Sequence, residues 1–71
     1  LRAVSFTTPV PLGEVIDFYF TRAGSAGFSA KHEILGGETA LAGAKGARSF
    51  AVFARRRADG MTLVDLVTVG G

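Results

Sequence analysis

One histidine, His32, and no cysteine stand among the 71 residues of this chain, which narrows the acid–base and nucleophilic chemistry open to it. Without cysteine there is no disulfide framework, no CxxC redox pair and no cysteine-rich zinc site. A catalytic zinc takes three protein ligands, and His32, flanked by Lys31 and Glu33 near a strand start, has no second histidine to join it. It reads as a surface residue. Ser5, Ser25, Ser29 and Ser49 are possible nucleophiles, but none lies in a G-x-S-x-G elbow, and any triad has one histidine to draw on. Glu14 and Asp17 point in similar directions on a helix, where two carboxylates could share acid–base work; near a helix start they also complement the positive end of its dipole. Gly43-Ala44-Lys45-Gly46 is a fragment of a phosphate-binding loop without its six-residue frame or the Ser/Thr after the lysine, so it reads as a hairpin turn. Arg55-Arg56-Arg57 is the one charge run. On a strand its side chains alternate, which breaks up an anion patch, protects the strand end from edge pairing and lets Arg56 reach diagonally toward Asp65. These residues predict no catalytic, cofactor-binding or metal-binding site, and a protein that is not an enzyme.

The elements that would position these side chains are legible from periodicity. Leu1 to Thr8 alternates as a strand, with Arg2, Val4, Phe6 and Thr8 on one face. Pro9 and Pro11 end it, and Pro11 suits the first turn of a helix. Leu12, Val15, Ile16, Tyr19, Phe20 and Ala23 form an apolar stripe at helical spacing, which Gly24 or Gly27 closes with Phe28 folding back. Short strands follow: Lys31 to Leu35, a turn at Gly36-Gly37, Glu38 to Ala44, a turn at Lys45-Gly46-Ala47, then Ser49 to Arg57 and Met61 to Val69 joined across Ala58-Asp59-Gly60. Ala40, Ala42 and Ala44 share a strand face small enough for the helix to pack closely. The expected fold is α+β: one antiparallel sheet of about five strands in β-α-β-β-β-β order, with the single helix on one face. The strand order stays open.

A two-residue turn at Asp59-Gly60 places Phe50, Val52, Leu63, Val67 and Val69 on one face and Ala51, Phe53, Val64 and Leu66 on the other. A three-residue turn swaps the partners and still leaves both faces apolar. One helix covers one face, so a second copy of the chain is the simplest cover for the other. Phe53, Val64 and Leu66 are the expected association face of a homo-oligomer.

Composition agrees with one small globular domain over residues 1–71: 48% hydrophobic, 20% charged, 7.4 kDa. A net charge of +2 is too weak a field for a committed nucleic-acid binder. No apolar run approaches the ~20 residues of a membrane span, and no signal peptide precedes the first strand. A start at Leu1 without methionine reads as a processed or trimmed product. Six arginines against two lysines, with abundant alanine and glycine, suggest a high-GC bacterial source.

Thr7-Thr8-Pro9, Glu14 to Tyr19 and Ala26-Gly27-Phe28 carry a resemblance spanning nearly the whole chain. It looks like the small uncharacterised strand–helix–meander modules of bacterial envelope proteins and lipoproteins, with their T-x-x-P-x-x-E-V-x-x-F-Y helix and A-G-F segment. That resemblance implies a periplasmic or cell-envelope location and no assigned activity, with a cytoplasmic one left open. Phe18-Tyr19 and Gly27-Phe28 are also similar to the F-Y-x-x-x-L-G-F segment of glyoxalase and bleomycin-resistance half-modules, at a longer spacing. That family holds a metal with a His or Gln on the first strand and a Glu late in the meander. Ser5, Thr7 and Asp65 stand in those regions here, so this resemblance implies a metal-free small-molecule-binding module with its site between two chains. The leading expectation is a non-catalytic, homo-oligomeric interaction module, and the alternative is that binding module.

Overall fold

A computed structural model describes residues 1–35 and 38–70. The elements are β1 (Arg2–Thr8), α1 (Leu12–Ser25), β2 (Ser29–Leu35), β3 (Glu38–Lys45), β4 (Arg48–Arg56) and β5 (Thr62–Val69). They form one domain of the expected α+β class. All five strands pair antiparallel in the order β1-β5-β4-β3-β2. The last four strands are a simple meander, and β1 lies beside β5, so α1 carries the chain from one edge of the sheet to the other. The expected turn at Gly36-Gly37 lies outside the described residues. Among the described residues no helix is long and apolar enough to cross a membrane.

Local chemistry explains the helix ends. Pro11 is the N-cap residue rather than the first helical one, with φ −56° and ψ 145°, and its carbonyl accepts from the N–H groups of Glu14 and Val15 at 3.0 and 3.1 Å. At the other end Gly27 takes φ 88°, the N–H of Phe28 reaches the Ala23 carbonyl at 2.9 Å, and that of Gly27 reaches Gly24 at 3.1 Å. This is a Schellman closure, in which glycine carries the left-handed residue at no side-chain cost.

Cross-strand partners share a face, so the register sorts the sheet. Leu41, Val52, Ala54 and Val64 lie under the helix with no exposed surface and meet Val15 and Ile16. Each larger aliphatic side chain so buried contributes about 1.5–3 kcal/mol. Phe20 leaves the expected apolar stripe: it is half exposed, because it sits about 80° around the helix from the stripe's centre. Ala40, Ala42 and Ala44 are not under the helix either. They alternate with Leu41, whose burial turns all three to the opposite face.

The β4–β5 hairpin settles the register left between two turns. Gly60 donates to the Arg57 carbonyl at 3.1 Å and Arg57 to the Met61 carbonyl at 2.7 Å, so Ala58-Asp59-Gly60 is a three-residue loop closed by Gly60 at φ 84°. Asp59 holds it by accepting from the Met61 N–H at 3.0 Å and pairing with Arg57 at 3.4 Å. Relative to a two-residue turn, every partner slips by one residue.

Candidate association surface

That slip divides the three residues expected to form one association face. Val52 pairs with Leu66 and Ala54 with Val64, which places Val64 and Leu66 on the helix side, Val64 within the core. Phe53 pairs with Asp65 and alone belongs to the opposite, open face. A face holding all three does not exist, because a one-residue slip in a period-two strand moves every side chain of one strand across the sheet.

The open face is nonetheless apolar at its centre. Ala51 and Val67 are partners, Ala42 pairs with Ala51, Leu63 lies one alternate position beyond Asp65, and Phe53 stands beside Ala40. The helix packs on β2, β3 and β4 from the other side, and no described element covers this one. Lys31 and Glu33, paired at 3.6 Å on β2, lie at one margin, whereas Asp65, opposite Phe53 and between Leu63 and Val67, accepts from the Ser5 hydroxyl on β1, and Arg55 pairs with Leu63 on the same face. Asp65 is therefore engaged by Ser5, and Arg56, on the helix side of β4, does not meet it. The Ser5–Asp65 pair becomes apparent only once β1 is known to lie beside β5.

The helix side is unevenly covered. Because α1 packs chiefly over β2 to β4, a groove of about 340 Å³ opens beside β1, lined by Phe6, Val10, Glu14, Val15, Phe18 and Tyr19 among others. Phe6, Val10 and Phe18 are between 37% and 55% exposed there, and Val4, next to Phe6 on the same face of β1, is 46% exposed. Helical periodicity offers no sign of this groove, since Phe18 falls off the stripe and Val10 precedes the helix.

The other candidate chemical residues are dispersed. His32 is exposed on the β2 edge, and among the described residues no three His, Cys, Asp or Glu side chains are grouped to hold a metal. Lys45 serves the fold: its ammonium donates to the Ala26 carbonyl at 2.7 Å, placing a cation at the negative end of the helix. Glu14 lies in the first helical turn at the positive end. Arg55 and Arg56 take opposite faces of β4, and Arg57 turns to Asp59.

No protein-family model matches this chain, and no curated protein matches it in sequence. The functional reading therefore rests on the two uncovered apolar surfaces.

Proposed function

We propose that this domain is a non-catalytic association module that pairs with a second copy of itself through the open face of its sheet. The observation that carries the reading is the composition of that face. Ala40, Ala42, Ala51, Phe53 and Val67 adjoin one another without an element of the described chain over them. Contiguous apolar surface beyond a few hundred Å² is uncommon on monomers, and two such faces pack about 10 Å apart when their side chains interdigitate. Phe53 and Val67 beside three alanines supply the alternation of large and small that interdigitation needs. Light scattering behind size exclusion, across a concentration series, tests it. The wild-type chain should run as a dimer or larger oligomer, and Val67→Lys should run as a smaller species than the wild type at the same concentration, with an unchanged circular dichroism spectrum. A wild-type monomer at the highest concentration overturns the proposal.

One observation favours a second reading, a metal-free small-molecule-binding module with its site between two chains. Ser5 and Asp65 place a hydroxyl and a carboxylate on the open face, Asp65 opposite Phe53, and a ligand site is an apolar concavity with a few convergent polar groups. A crystal structure of the dimer separates the two: a filled, flat interface belongs to association alone, and a cavity reaching Asp65 belongs to a ligand.

A further inference from the structure

We infer that the free edge of β1 is a second self-association site, where two copies join strand to strand into one continuous antiparallel sheet. The inference shares with the reading above only the claim that the chain associates with itself; it uses a different surface.

The two edges of the sheet are built differently. β2 carries Lys31 and Glu33 on either side of His32, charged side chains of the kind that keep an edge from pairing with another chain. β1 carries one charge, Arg2 at its first position, and then Ala-Val-Ser-Phe-Thr-Thr with no proline and no bulge in its pairing with β5. Its outer backbone groups face no other strand, and all but the last of its residues are exposed. An edge of this kind is a template for strand addition.

Symmetry then restricts the partner. Two copies of β1 running antiparallel about a two-fold axis normal to the sheet keep their helix faces together, which requires the axis to pass through a residue. With the axis at Ser5, Val4 lies opposite the other copy's Phe6, twice, and Arg2 lies opposite the other copy's Thr8, twice. Thr8 lines the same groove as Glu14, so each Arg2 arrives beside a Glu14 carboxylate. Among the described residues neither Arg2 nor Glu14 has an ion-pair partner within the chain. The exposed Val4 and Phe6 of one copy extend the apolar lining of the other's groove. Charge and apolar surface are both self-complementary at this register, and the occupant is a second copy.

The absence of cysteine allows a direct test. Chains carrying Val4→Cys and Phe6→Cys are mixed in a glutathione redox buffer, and the mixed disulfide is compared with each self-linked product. Opposed residues in an antiparallel pair have Cα atoms ~4.5–5.5 Å apart, within disulfide reach, and the open faces cannot bring these two helix-side positions together. The mixed product should exceed either self-linked one several-fold. Arg2→Glu and Glu14→Arg should each weaken the dimer about tenfold, and combining them should restore it. If the wild-type chain dimerises but the mixed disulfide shows no preference, this inference is overturned while the open-face reading stands. If the preference persists in a Val67→Lys background whose oligomer is as large as that of the wild type, the edge stands and the open-face reading falls.

Discussion

At the residue scale, two positions hold the sheet to its neighbours by contacts that tolerate little change. Gly43 on β3 faces the helix side, where the Phe50 ring lies across it and meets Phe28 edge-on at a centroid distance of 5.3 Å. A methyl group at Gly43 would overlap that ring and stand 3.1 Å from the Ser29 carbonyl oxygen, which is backbone and cannot swing away. Gly43→Ala should therefore destabilise the fold by about 1–3 kcal/mol, the usual cost of overpacking. Urea titration reads this as a lower midpoint at an unchanged slope, and Phe50→Leu in the same chain should recover part of the loss. Among the described residues Thr62 is the buried polar one, 2% exposed, and its hydroxyl donates to the Val10 carbonyl at 2.8 Å. Thr62→Val removes that part-buried hydrogen bond, so a cost of about 0.5–1.5 kcal/mol is expected, whereas Thr62→Ser, which keeps the hydroxyl, should lose less. The same urea titration distinguishes them. Neither residue announces itself in the sequence, because a glycine chosen for close approach and a threonine chosen for one carbonyl leave no periodic trace.

At the element scale the legible features were those fixed by local chemistry. The helix, its closure near Gly27, the hairpin at Ala58-Asp59-Gly60 and the strand–helix–strands order all follow from periodicity and turn residues. What local pattern does not carry is register. Two-residue and three-residue loops both accept Asp59-Gly60, and the choice between them decides whether Val64 and Leu66 lie under the helix or away from it. The placement of Ala40, Ala42 and Ala44 failed for a related reason: alternation says that they share a face, but only the tertiary fold says which. Lys45 shows the same dependence on long-range placement, since its ammonium reaches the helix end from a strand 19 residues later. Gly27 and Lys45 are coupled there, because a Cβ at Gly27 would lie 3.2 Å from the Lys45 Nζ. Gly27→Ala should cost about 1–2 kcal/mol for the left-handed backbone alone. Lys45→Met should cost about 0.3–1 kcal/mol through the lost cation at the helix end. The double variant should cost less than the two added, since alanine at 27 already displaces the ammonium. Thermal or urea unfolding of the four proteins in that cycle measures the coupling.

At the scale of the whole molecule, surface exceeds what the mass calls for. The isolated chain exposes 4713 Å². Monomers of 7.4 kDa expose about 4,200 Å² by the usual scaling. The excess of roughly 500 Å² approaches the ~800 Å² that one partner contributes to a standard interface. It arises because one helix lies over one side of a five-stranded sheet, and over only part of that side. The core is correspondingly thin, with Leu41, Val52 and Val64 its largest fully buried side chains. A domain of this size stands close to the limit at which a single core suffices, so covering either uncovered surface contributes a sizeable share of its stability. Association that stabilises the folded state makes the unfolding midpoint depend on chain concentration. The thermal midpoint of the wild-type chain should therefore rise by several degrees between micromolar and near-millimolar protein, followed by circular dichroism in cells of different path length. Val67→Lys should have a lower midpoint that moves less with concentration, and Val67→Lys combined with Val4→Lys, which charges both surfaces, should have one that does not move. A wild-type midpoint independent of concentration would mean that the one-sided core is sufficient alone, and that neither apolar surface is closed by a second copy.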